Sequence, residues 1–272
     1  PPHRIVLNRR TGSCQAVPET ASSSRPGAVG TGIATRAAAA LLLGLAAAPP
    51  APSGQIEWGA RASGSWFDSV NWSGGVLPTA DDNVYISGAQ VTIAASAQAA
   101  RGRLLGLGYT SPGALSLVAG GNLAVGRVFV GIGGSGNLTV DGTNTLLSTG
   151  GILLGYGNAG TLTIGNGARV TTGVDAASGF GYAVELGTMA GSSGTLNLNV
   201  GGTLEVGGAG AMPAPVAGAA ANFYFASGTL RVINSDLTAE LPATLIGPFS
   251  TVDTNGFNAT LSGALSRTGL LN

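Results

Sequence analysis

Three glycines in the string VFVGIGGSG, Gly131, Gly133 and Gly136, have the spacing with which a dinucleotide-binding turn cradles a pyrophosphate. That chemistry needs a helix starting at the last glycine, so that its amides and dipole face the phosphates. The chain instead continues NLTVDGTNTLLSTGG. Asn137 to Val140 alternates polar and apolar residues and Asp141-Gly142 is a turn pair, which predicts strand, turn, strand. No acidic residue follows about 20 positions on to hold a ribose. Gly155, Gly157 and Gly160 then repeat the same spacing. A recurring turn is therefore expected, and no cofactor.

Other reactive groups are sparse. The single histidine is His3 and the single cysteine is Cys14. Beyond the first 53 residues a Ser-His-Asp or Cys-His mechanism lacks its usual base, and a metal site lacks both imidazole and thiolate. Asp141 and Asp175 stand apart from other acids and read as turn residues. No catalytic or metal-binding residue is assigned.

Composition directs attention to the scaffold. Glycine accounts for 47 of 272 residues, and only 9% of residues are charged. Every basic residue is Arg. So much glycine among alternating Val, Leu, Ile and Thr argues for many short strands broken by turns. Five arginines, Arg4, Arg9, Arg10, Arg25 and Arg36, face Glu19 alone in residues 1–53, while the remainder carries seven arginines and eleven acids. That mildly acidic body offers no basic face, so no nucleic-acid partner is expected.

Five segments share one grammar, beginning at Gly113, Gly136, Gly160, Gly194 and Gly228 at offsets of 23, 24, 34 and 34 residues. Two positions after each glycine stand Leu115, Leu138, Leu162, Leu196 and Leu230. Four positions after stand Leu117, Val140, Ile164, Leu198 and Val232. Both columns should face inward, since side chains alternate along a strand. Periods of this size indicate a solenoid, and three short strands per unit predict an all-β, right-handed parallel β-helix. An ordinary β-sandwich predicts the alternation but not the matched columns.

The two longer offsets place extra residues in TTGVDAASGFGYAVELGTMAG and VGGAGAMPAPVAGAAANFYFASG. Insertions in a solenoid emerge as loops and often carry binding. The candidate contact residues are Phe180, Tyr182, Phe223, Tyr224 and Phe225; the competing reading packs them under their own loop or against a rung. Asp175, Glu185 and Glu205 with Arg169 would be the groups of a polysaccharide-active enzyme, against the simpler reading of solvated rung edges.

At the other end of the chain, Arg36 precedes a twelve-residue apolar run, 37–48, followed by small residues. This has the n-region, h-region and cleavage region of a secretory signal, with cutting expected near Ala48, or after Ala51-Pro52-Ser53. Twelve residues are too few for a comfortable membrane span.

The stretch before that run resembles the extended signal peptide region of autotransporters, the type V secreted proteins. The resemblance rests on Ile5-Val6-Leu7, Asn8-Arg9, Gly12, the run Gln15-Ala16-Val17-Pro18-Glu19-Thr20-Ala21, Arg25 and Gly27. The segment Asn71-Trp72-Ser73-Gly74-Gly75, followed by Pro78 and Asp81-Asp82, resembles the start of such passengers. Asp253-Thr254-Asn255-Gly256 leading to Thr260-Leu261-Ser262-Gly263 resembles a passenger-associated repeat. With the signal and the repeats, the resemblance implies a cleaved leader, 1–53, unstructured or helical; an N-terminal cap, 54–100; β-helix repeats, 101–247; and the truncated start of a further repeat, 248–272. A solenoid needs its open end covered and bulky aromatics suit that task, so Trp66 and Trp72 are read as cap core, the competing reading being a sugar-stacking platform. The resemblance also implies export through the Sec translocon and outer-membrane translocation machinery to the bacterial cell surface. Adhesion or self-association is the expected role, with host or neighbouring-cell glycans or proteins as partners. The alternatives are a polysaccharide-active β-helix enzyme and a truncated product without function.

Overall fold

The computed structural model describes residues 3–7, 14–18, 54–59, 61–173 and 182–268. Two compact units divide the chain, Pro1–Ala48 and Pro49–Asn272. In the first, His3–Leu7 and Cys14–Pro18 pair as antiparallel strands, where an unstructured or helical leader is expected. Ile5, Val6 and Val17 are β-branched and favour extended backbone. The apolar run 37–48 and the cleavage candidates Ala48, Ala51 and Ser53 lie outside the described residues, as do Asp175 and Phe180. Among the described residues no helix is long and apolar enough to cross a membrane.

The second unit is a parallel β-helix of about eight turns. One face is a nine-stranded sheet running from Ser63–Ser65 through Gly113–Leu117, Gly136–Asp141, Ala159–Gly165 and Ser193–Asn199 to Leu265–Thr268. A twelve-stranded sheet turns a corner and supplies the other two faces. The strand Asn122–Val130 makes that turn: residues 122–125 pair with Leu146–Thr149, and residues 128–130 pair with Ile152–Leu154. Each turn therefore presents three flat faces, as the three short strands per unit predict.

Inside, identical columns stack in register. Val91, Leu115, Leu138, Leu162, Leu196 and Phe223 form one, and Ile93, Leu117, Val140, Ile164, Leu198 and Phe225 the other. All twelve are buried, and each contributes about 1.5–3 kcal/mol of transfer free energy. Between them Thr92, Ser116, Thr139, Thr163, Asn197 and Tyr224 point outward in a polar ladder. Asn197 Nδ2 donates to Thr163 Oγ1 across one rung, at 3.2 Å.

The fifth copy of the repeat is corrected. Leu230 and Val232 are buried but stack on Leu204 and Val206 of the second face, while Gly194 registers with Ala221, not Gly228. Gly-Thr-Leu-x-Val alternation suits any flat face, so it marks a strand without saying which face the strand occupies. The second long offset is accordingly a change of face and not an inserted loop. The first is a true insertion, because Gly160 does register with Gly194.

The glycine motif forms a corner. Gly108, Gly131, Gly155 and Gly187 all have positive φ, 71°, 79°, 74° and 66°, a conformation glycine adopts without steric cost. A Cβ on Gly131 would also run into the Ala159 carbonyl of the next rung. Gly131 N–H donates to the Leu107 carbonyl, and Gly133 and Gly134 N–H both donate to the Gly108 carbonyl, each at 2.9 Å. Those amides are engaged by the preceding rung and do not form an open phosphate cradle.

Three tryptophans close the first turn. Trp58 and Trp66 each meet Trp72 edge to face, with ring centroids 4.9 and 4.7 Å apart. Trp72 Nε1 donates to the Trp66 carbonyl at 2.7 Å, so the polar edge of a buried ring is satisfied. The solenoid register runs straight through both expected domain boundaries. Asn83–Ile86 pairs with residues 104–107, and Ala243–Ile246 pairs with Leu265–Thr268. Cap, repeats and the segment from 248 share one stack.

Asp82 pins the first turn. Its carboxylate accepts from Gly54 N–H at 3.0 Å, Thr79 N–H at 2.8 Å and Thr79 Oγ1 at 2.6 Å. Burial opposes ionisation, but these three hydrogen bonds outweigh it and hold the carboxyl below its ordinary pKa. A depressed folded pKa stabilises above the unfolded value, and that contribution is lost as pH falls through the folded one. Asp82→Asn should cost about 1–3 kcal/mol at pH 7. The gap from the parent should narrow as the medium is acidified below about pH 4. Urea midpoints across pH 2–7 would check it; a gap independent of pH would refute the ionised staple.

Candidate functional site

The residues singled out by sequence do not form one site. Tyr182 is exposed, at 44%, and follows the undescribed stretch that includes Phe180. Phe223 and Phe225 correct the loop expectation: both lie in the strand Ala220–Ala226, face inward, and continue the Leu196 and Leu198 columns. Alternation across that strand turns Tyr224 outward. NFYF therefore supplies two core rings and one surface ring.

The candidate acids are separated in the same way. Glu205 stands on the second face, 8% exposed, accepting from Thr171 Oγ1 at 2.7 Å and lying 3.6 Å from Arg169 Nη1. Arg231 and Asp253 continue this column, their side chains 3.3 Å apart. The result is a ladder of alternating charge along the outside of the stack. Glu185 lies on the third face, in register with Leu153, so Glu205 and Glu185 do not share a surface.

A feature that sequence reading missed occupies the third face. Its outward column reads Glu57, Tyr85, Gly106, Phe129, Leu153 and Glu185 on successive rungs. Beside it, directly after the corner glycines, stand Tyr109, Ile132 and Tyr156. Tyr85 meets Tyr109 with ring centroids 4.5 Å apart, and Phe129 meets Tyr156 edge-on at 5.2 Å. Gly106 makes the arrangement possible. A Cβ there would stand 2.6 Å from Tyr85 Cδ1 and 3.0 Å from Ile132 Cδ1, so the Tyr85 ring lies across bare backbone.

Polar groups border the stripe. Arg103 Nε donates to Asn83 Oδ1 at 3.1 Å, and Gln55 Nε2 to Glu57 Oε1 at 2.6 Å. Burial raises the Tyr85 phenol above its ordinary pKa, helped by the Tyr109 phenol and the Glu57 carboxylate and opposed by Arg103. These groups thus gather round one hydroxyl. The sequence signal was the pattern Gly108-Tyr109, Gly131-Ile132, Gly155-Tyr156, visible only when copies are aligned on the corner glycine.

At the far end of the column, burial raises the Glu185 carboxyl above its ordinary pKa. A raised folded pKa gives a contribution present below the unfolded pKa and lost as pH rises through the folded one. Glu185→Gln is therefore expected to raise the thermal midpoint at pH 7 and to change it little near pH 4. Equal effects at both pH values would contradict the burial cause.

No family model, curated protein or solved structure matches this chain, so the reading of its surfaces rests on its own residues.

Proposed function

We propose that the chain is a passenger segment of an autotransporter, exported by the Sec route and displayed at a bacterial cell surface, where it serves adhesion or self-association. The observation that carries this reading is the continuous β-helix. Each turn is held by the turns before and after it, so a chain emerging from one end through a membrane can add rungs in order. The leader is consistent: basic residues, an apolar run and small residues precede Gln55–Glu57, the first strand of the β-helix. Residues 54–272 contain no cysteine, so no disulfide can lock them before translocation. Function does not follow from fold, and the adhesive role rests on the resemblance and on the long, varied outer faces of the stack.

The test is localisation. Antibody against the β-helix should label intact cells. N-terminal sequencing of the surface material should place the new terminus just after residue 48 or just after residue 53. Deleting residues 1–53 should retain the protein in the cytoplasm. Retention of the full chain in the cytoplasm would overturn the reading.

A further inference from the structure

We propose that the third face binds an extended polysaccharide lying along the solenoid axis, with the pairs Tyr85–Tyr109 and Phe129–Tyr156 stacking against alternate sugar rings. The inference deepens the adhesive reading by naming a ligand class and a surface, and rests on that reading for its biological setting. Its first support is periodicity. Tyr85 and Phe129 occupy one column two rungs apart, with Gly106 between them. Tyr109 and Tyr156 follow corner glycines that are also two rungs apart. At about 4.8 Å per rung the two pairs are displaced by about 10 Å, close to the length of a disaccharide unit in an extended chain. A polymer with that repeat would place equivalent rings over both pairs.

The second support is chemistry. Sugar rings present C–H faces that pack on aromatic rings, and hydroxyl edges that need hydrogen-bonding partners, the division that Tyr serves with an apolar body and a polar tip. Here the rings form a stripe one to two residues wide, bordered by Asn83, Arg103 and Glu57. Tyr109 is 39% exposed, so its ring is accessible. Ile132 and the edge of the Tyr85 ring cover the Gly106 backbone in the interval between the pairs. A partner protein would favour a broad apolar patch, which a narrow stripe with a charged border does not supply.

The test is calorimetric titration of the full 272-residue chain with cellohexaose, chitohexaose and maltohexaose and the matching disaccharides. At least one hexasaccharide should bind about tenfold or more tighter than its disaccharide, because only the longer chain reaches both pairs. Tyr109→Ala and Tyr156→Ala should each weaken it about tenfold without lowering the thermal midpoint appreciably. Gly106→Ala should do the same by lifting the Tyr85 ring, while Tyr224→Ala on the first face should leave binding unchanged. Absence of binding to every hexasaccharide, or full binding by the Tyr109→Ala/Tyr156→Ala double variant, would overturn the proposal. So would a dimer in solution that the double variant dissolves, since the stripe would then serve a second copy of the chain. A chain that binds hexasaccharide but stays in the cytoplasm refutes export alone; a displayed chain that binds none refutes this inference alone.

Discussion

Leu162→Asp is expected to unfold the middle of the β-helix. Leu162 has no solvent exposure and lies between Leu138 and Leu196 in an unbroken column. The new carboxylate would meet only aliphatic side chains there, with no cation or donor in reach. Burying an unpaired ionisable group in such a place costs more than about 4 kcal/mol even after the group takes up a proton, against a typical total stability of about 5–15 kcal/mol. The damage should also be directional. In a solenoid each rung is stabilised by its neighbours, so loss of the 159–165 strand removes an interface from the rungs on either side. Hydrogen exchange should show protection lost from this rung outward, with the urea midpoint falling steeply. Thr163→Asp, one residue along and facing outward, should change stability by no more than about 0.5 kcal/mol. Similar losses for both substitutions would mean that the inward and outward columns are assigned wrongly.

Trp66→Ala is expected to open the N-terminal end, at a cost of about 3–5 kcal/mol. Trp66 is 1% exposed, and its ring meets Trp72 edge to face. The hydrogen bond from Trp72 Nε1 goes to the Trp66 backbone carbonyl. It can survive the substitution, so the loss measures packing. Removal of the indole leaves Trp72 without one neighbour and admits water towards Ile93 and Ala100 at the start of the stack. Exposed strand edges pair readily with other chains, so the variant should aggregate at temperatures where the parent stays monodisperse. Denaturant titration followed by tryptophan fluorescence would report both effects. A midpoint equal to that of the parent would show that the tryptophans decorate the end and do not close it.

Much of this architecture was legible in one dimension because a solenoid is nearly one-dimensional. Leu115, Leu138, Leu162 and Leu196 recur after a glycine, and parallel in-register pairing places equivalent positions of successive turns on top of one another. Trp66 and Trp72 were readable as cap core for a related reason: large apolar side chains beside the first rungs have a stack end to cover. The Gly131 motif was resolved by its own copy at Gly155, since a corner recurs with the turn whereas a ligand loop has no need to.

What failed was phase around the turn. Gly202-Thr203-Leu204 and Gly228-Thr229-Leu230 read like Gly194-Thr195-Leu196, yet they stack on the second face. Corner lengths decide this, and a corner of small residues can absorb or release several positions without altering the alternation of the strands. NFYF was misplaced as a loop through the same error, and the acids Glu185 and Glu205 were grouped although a corner separates them.

From its own order of residues the chain determined that it would be a parallel stack, which columns would be dry and where glycine would be obligatory, because these depend on period two along a strand and on the repeat between turns. The tertiary structure alone decided which surface residues stand together. Tyr85, Tyr109, Phe129 and Tyr156 come from four different turns, and only stacking at the strand spacing, with Gly106 leaving room for a ring, makes one stripe of them.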